Sequence, residues 1–134
     1  MQQGEQRPEP MRRPGDVIPS PTPHARTYRV RGITVVELSG EIDLGSAPQV
    51  DPHLTAAVRW PTPALVVLDL NQLEFIDCYG LSLLVRARRR LVDRGGWLLM
   101  ACDHPPTRKL LAMTGLDGLF RPMRSLDDAL RDNA

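Results

Sequence analysis

The feature that most constrains this chain is a change of hydrophobic period within one stretch. Ala64-Leu65-Val66-Val67-Leu68-Asp69-Leu70 is a short apolar run, partly β-branched and preceded by Pro61 and Pro63, and it reads as a buried strand. Beyond it, Leu81, Leu84, Leu91 and Val92 recur at the spacing of a helix face. Asp77 stands where an N-cap belongs. Gly95-Gly96 stands where such a helix stops, so a helix is expected from Cys78 to about Asp93. Gly80 leaves room for another segment to approach its first turn. Cys78 and Tyr79 are thereby expected at the positive end of a helix and the tip of a strand, where open α/β sheets present their working residues.

The remaining elements follow from the same signals. Tyr28 and Val30 alternate with Arg29 and Arg31 as in an edge strand, and Gly32 offers a turn into Ile33–Leu38, so a hairpin is expected. Ser39 to Asp43 reads as a loop. Asp43 is placed to cap a helix from about Gly45 to Val58, whose apolar stripe is Val50, Leu54, Ala57 and Val58. Trp97–Cys102 reads as a strand, and His104-Pro105-Pro106 opens a helix closed by Gly115. Leu119–Met123 reads as a short last strand, marked as an edge by Pro122. Ser125 and Asp128 frame the start of a last helix from Leu126 to about Arg131. The order β-β-α-β-α-β-α-β-α implies a largely parallel sheet with one antiparallel edge strand.

With 134 residues there is room for one ordinary domain. Six prolines between Pro8 and Pro23, with few large apolar residues, mark residues 1–26 as a disordered tail ahead of a domain at 27–134. A polyproline-reading partner for that tail is the sharper alternative to a solvated segment. The formal net charge of +1 gives no case for nucleic acid or a membrane surface. No apolar run approaches the roughly 20 residues that span a bilayer. Two cysteines, Cys78 and Cys102, and no signal peptide lead to a reduced, cytoplasmic setting as the expectation.

Catalysis and metal binding find weak support. Cys78 at a helix N-terminus is a conceivable nucleophile, but no histidine is tied to it by sequence, and Asp77 beside it opposes a thiolate. A small half-buried residue is the plainer account. Cys102-Asp103-His104 lacks the spread and the number of ligands a metal site needs. No phosphate-binding glycine loop is present. No cofactor, metal or enzymatic activity is expected. Arg88 lies on the apolar stripe of the central helix, which allows either a stem packed on the core with its head in water or a partner contact.

Gly40-Glu41-Ile42-Asp43 before a helix resembles the GELD-type loop of STAS domains. Phe75-Ile76-Asp77-Cys78-Tyr79-Gly80-Leu81 resembles their F-x-D-[SC]-S-G-L loop. Gly95-Gly96 before a strand and Leu111–Leu116 also match, so the resemblance covers about Thr27 to Leu130. It implies a STAS fold with a layer of helices on one face of the sheet. It also implies the role of an anti-sigma factor antagonist, which binds an anti-sigma factor of the GHKL serine-kinase type and frees its sigma factor. In that family the kinase phosphorylates the serine before the glycine, and the modified antagonist lets go. Carried onto this chain, the resemblance places the partner contact at Asp43, Asp77, Cys78, Tyr79, Gly80, Leu81 and Ser82.

The chain departs from the pattern at that serine, where it has Tyr79. A kinase that holds a short hydroxyl in line with the γ-phosphate would misplace a phenol oxygen lying several Å further out, so phosphorylation is not expected at position 79. Ser82, one turn on, is a substitute acceptor or simply a surface serine. Four outcomes stay open for Tyr79. The partner kinase binds and cannot modify the chain; Tyr79 anchors a different partner; Tyr79 blocks the usual one; or Tyr79 is a tyrosine half-buried against its own domain. A STAS subunit of another signalling or lipid-transport complex, or a domain whose switch has decayed, is the alternative function.

Overall fold

In the computed structural model, residues 17–60 and 65–131 are described. The elements are β1 (Ala25–Val30), β2 (Ile33–Ile42), α1 (Ala47–Val58), β3 (Leu65–Ile76), α2 (Cys78–Asp93), β4 (Trp97–Ala101), α3 (Pro105–Met113), α4 (Asp117–Phe120) and α5 (Leu126–Arg131). The four strands form one sheet in the order β1-β2-β3-β4, antiparallel at the first pair and parallel at the other two. The mixed sheet expected from the element order is therefore present. The β1–β2 hairpin turns through Arg31 and Gly32, both at positive φ, the conformation that matches the twist of a two-residue connection.

Alternation along β2, β3 and β4 sorts the side chains between two faces. Val36, Leu38, Ile42, Val66, Leu68, Leu70, Leu98 and Met100 point toward α1, α2 and α3 and form the main core with Val50, Leu54, Leu81, Leu84, Leu91 and Leu111. The expected helix layer lies here. Ile33, Val35 and Val67 point the other way, and α5 covers them with Ala129 and Leu130. The last helix thus lies on the opposite face, because β2 and β3 are apolar on both sides, as inner strands of parallel sheets are.

Several boundaries differ from the sequence reading. The segment Ser39–Ile42 continues β2 rather than forming a loop, and β3 runs on through Asn71–Ile76, because the two strands go on pairing as far as Ile42 and Ile76 with two register shifts. Leu119–Met123 is not a strand. Asp117–Phe120 coils into a helical turn, Arg121 turns the chain at φ 47, and Met123 makes a single parallel bridge to Ala101. Residues 20–24, inside the expected 1–26 tail, bond to α1 and β2. His53 Nε2 donates to the Ser20 carbonyl at 3.0 Å, Thr22 Oγ1 to the Gln49 carbonyl at 3.2 Å, and His24 Nδ1 lies 3.1 Å from the Ser39 carbonyl. These polar ties hold residues 20–24 on α1 and β2. Residues 1–16 of the expected tail lie outside the described residues.

Candidate functional site

The site is built at the carboxyl ends of β2 and β3. Ile42 and Ile76 are register partners, so Asp43 and Asp77 leave the sheet side by side. Asp77 is the N-cap of α2: its backbone is extended and its Oδ1 accepts from the Gly80 N–H at 2.8 Å. Its own N–H donates to the Ile42 carbonyl at 3.3 Å, which ties the helix start to the neighbouring strand. The expected cap is therefore in place.

Asp43 does not cap α1 directly. The N-cap is Ser46, and α1 begins at Ala47 rather than near Gly45. Asp43 Oδ1 accepts from the Ser46 N–H at 3.0 Å, while the Asp43 N–H donates to Ser46 Oγ at 3.1 Å and Ser46 Oγ donates to the Glu41 carbonyl at 2.8 Å. The reason is that the aspartate closes a turn one step before the helix. Its side chain thereby braces the loop that carries Leu44.

Gly80 is buried where α2 crosses the end of β2. A Cβ there would lie 2.7 Å from the Ile42 carbonyl oxygen and 2.7 Å from Ile76 Cγ1. Leu81 points into the core. Cys78 and Tyr79 point outward, so Cys78 is exposed and not half-buried as expected, because the first turn of α2 buries only its Gly80–Leu81 side. None of the three histidines bonds to Cys78. His24 bonds Ser39, His104 Nδ1 lies 2.7 Å from Thr107 Oγ1, and His53 is buried under α1 with Thr27 Oγ1 at 2.6 Å. Cys102, Asp103 and His104 also diverge: Cys102 is buried, Asp103 faces Arg124, and His104 faces Thr107.

Tyr79 is 42% exposed and rims a groove of about 380 Å³ between α1 and α2, with Leu44, Ala47, Pro48, Asp51, Leu83 and Arg86. Ser82 is exposed, and its Oγ donates to the Tyr79 carbonyl at 2.6 Å, back-bonded along the helix. Cys78 and Ser82 line a second groove on the other side of α2, with Leu81, Val85, Arg86, Arg89, Thr114 and Leu116. Arg88 lines neither groove: its guanidinium lies over the ring of the exposed Trp97, 5.5 Å from the centroid, so the head rests on an aromatic at the surface rather than in water.

Two contributors were missed in the sequence. Leu44 and Phe75, next to Asp43 and two residues before Asp77 in the chain, are exposed apolar side chains, 68% and 51%. A leucine between Asp43 and Gly45 in a polar loop was a usable signal. Phe75 stood in the motif, but its outward face could not be read there, because that face depends on the register shift between Gly40 and Glu41. The arrangement is two braced loops, an exposed aromatic at a helix start and a shallow groove on each side of that helix. It is suited to holding a protein surface.

Comparison with known proteins identifies the family. Residues 24–129 match the STAS domain. The chain is 34% identical over 87 residues to an anti-sigma F factor antagonist of Paenibacillus polymyxa, covering 64% of this chain and 74% of the relative. It is 30% identical over 99 residues to the anti-sigma-F factor antagonist RsfB of Mycobacterium tuberculosis, covering 74% and 80%. The crystal structure of an anti-sigma factor antagonist from Mycobacterium paratuberculosis superposes with a TM-score of 0.70 at 33% identity, covering 81% of this chain and 91% of that one. Phosphorylated SpoIIAA of Bacillus superposes with a TM-score of 0.65 at 21% identity over 82% and 99% of the two chains, a likeness of fold. With most of its length matched, this chain belongs to the STAS domain family.

Proposed function

We propose that the chain is an anti-sigma factor antagonist that binds a serine-kinase anti-sigma factor of the GHKL type without accepting phosphate at the usual position. Support for the antagonist role comes from relatives that carry that name and match at about a third of positions. The observation that carries the rest is Tyr79, an exposed phenol at the helix position where the family motif has serine. The partner contact is Asp43, Asp77, Cys78, Tyr79, Gly80, Leu81 and Ser82. The two aspartates and Gly80 shape the loops, Leu81 anchors the first turn in the core, and Cys78, Tyr79 and Ser82 meet the partner.

The switch in such a pair rests on charge. A phosphate brings about −1.5 to −2 charges into an interface and must be desolvated there. In the free protein the amide end of α2 tolerates it. With Tyr79 in that place the charge never arrives, so binding persists. Ser82 is a poor substitute, because its hydroxyl is turned along the helix to the Tyr79 carbonyl.

The test is affinity capture from the source cells with wild type and Tyr79→Ser as baits, followed by incubation of each complex with ATP. A GHKL kinase captured by both baits, with phosphate incorporated only into Tyr79→Ser, is the expected result. Capture only by Tyr79→Ser would mean that the phenol blocks this partner. A complex in which Tyr79→Ser gains no phosphate would overturn the docking geometry.

A further inference from the structure

The exposed side of α2 carries more positive charge than its own domain answers. Arg86, Arg88, Arg89 and Arg90 follow within five positions, and no acidic residue occurs on the helix until Asp93. Arg90 lies in the last turn, where a cation suits the helix dipole, but Arg86 and Arg89 stand earlier and three apart, a like-charge spacing that does not help the helix. Arg88 is occupied by Trp97. None of the ion pairs among the described residues involves α2. Arg86 and Arg89 are both exposed, and both border the groove that α2 makes with the turn between α3 and α4.

That groove has a definite shape. Cys78, Leu81, Ser82, Val85, Arg86 and Arg89 recur at helical spacing along one side of α2, and Thr114 and Leu116 form the opposite wall. Its volume is about 370 Å³, and its floor is mostly apolar. Leu116 is fixed there by its N–H bond to the Leu111 carbonyl at 2.8 Å, after Gly115 turns the chain at φ 76. The groove begins at Cys78 and Ser82, so it continues directly from the contact assigned above. A polar rim of two cations around an apolar floor selects an occupant with an apolar side chain flanked by carboxylates.

We propose that this groove seats an acidic amphipathic segment of the protein partner, with an apolar side chain on Val85 and Leu116 and Asp or Glu side chains on Arg86 and Arg89. The inference rests on the partner-binding reading and adds a second contact to it. Arg86 also lines the groove on the Tyr79 side, so one residue links the two halves of the interface. Buried guanidinium–carboxylate forks in such a place set partner choice, since a basic or neutral segment leaves both cations unpaired.

The experiment uses the full chain with a photo-crosslinking amino acid at Tyr79 or, separately, at Thr114, which is exposed on the far wall and has no part in the first contact. Each variant is expressed in the source cells and irradiated, and the attached peptide is sequenced. Both positions are expected to capture the same protein, with Asp or Glu within four residues of the attachment point at Thr114. Combining Arg86→Glu with Arg89→Glu is expected to lower capture at Thr114 by about tenfold or more, while Arg86→Lys with Arg89→Lys retains most of it. A melting curve of the Glu variant matching wild type shows that the fold is intact. Capture at Tyr79 with none at Thr114 overturns the groove assignment and leaves the partner reading standing. A captured segment without carboxylates, a second copy of this chain, or indifference to charge reversal overturns it as well. Capture at neither position overturns both.

Discussion

Gly80 sits against the carbonyl oxygen of Ile42 so closely that a Cβ on Gly80 would lie 2.7 Å from it. Helix α2 can therefore cross the end of β2 at this height only with glycine at its third position. The contact places the start of α2 beside the Asp43 loop, and both surfaces of the site depend on it.

Gly80→Ala is expected to destabilise the domain, although alanine is the better helix former. Overpacking against backbone costs about 1–3 kcal/mol, and the move that relieves it displaces the helix N-terminus. Urea unfolding of the two proteins measures the difference. An alanine variant as stable as wild type would mean that α2 does not approach Ile42 this closely.

Asp77→Ala is expected to cost about 1 kcal/mol, the usual worth of an N-cap side chain. The Gly80 N–H loses its acceptor, and the first turn carrying Tyr79 frays. Asp77→Asn or Asp77→Ser should recover most of the loss, since either can cap. Thermal melting of the three variants separates a cap from a charge effect.

His53 is expected to make the domain acid-sensitive. It is 1% exposed, its Nε2–H donates to Ser20, and its Nδ1 accepts from Thr27 Oγ1. Burial pushes its pKa below the usual value, partly offset by the bond to Ser20. The unfolded chain therefore takes up a proton that the folded one refuses. The stability His53 contributes is complete above about pH 6.5 and is lost as the pH falls from there toward its lowered folded value. Melting temperature against pH should decline over that range in wild type, and the decline should shrink in His53→Gln.

Asp69→Asn is expected to stabilise the domain at neutral pH. Asp69 is 7% exposed on the α5 side of the sheet, its register partner is Glu37, and its Oδ1 accepts from the Asn71 N–H at 3.1 Å. Burial raises its pKa, and Glu37 adds to the rise, while the Asn71 bond and Arg26 oppose it. The folded state thus holds this proton more tightly than the unfolded one. Stability falls as the pH rises from about 4 through the raised folded value. The amide removes that loss, so the variant should melt higher than wild type at pH 7 and lose the advantage near pH 4. A wild-type protein more stable than Asp69→Asn at pH 7 would show that the carboxylate has a partner worth more than its burial.

Much of the site was legible in the chain itself. The switch from the apolar run at Val66–Leu70 to the helical spacing of Leu81, Leu84 and Leu91, with Asp77 between them, placed the start of the strand, the helix and the cap to within a residue. Gly80 was legible as a close approach, and Tyr79 as the odd residue of the motif. The same local reasoning failed at Asn71–Ile76 and at Leu119–Met123. The first stretch is polar in places yet extended because β2 continues to pair with it, and the second is apolar in places yet bridged only at Met123.

Periods, caps and helix stops are settled by residues within a turn of one another, and such spacings are written along the chain. The segment at 20–24, the face of α5, the outward Phe75 and the two grooves flanking α2 each arise where distant residues meet. Their free energies come from non-local pairing and burial, for which no spacing along the chain is diagnostic. Asp77, Tyr79 and Gly80 could accordingly be placed before the fold was known, while Leu44, Arg86 and Leu116 acquire a role only once α1, α2 and the α3–α4 turn stand side by side.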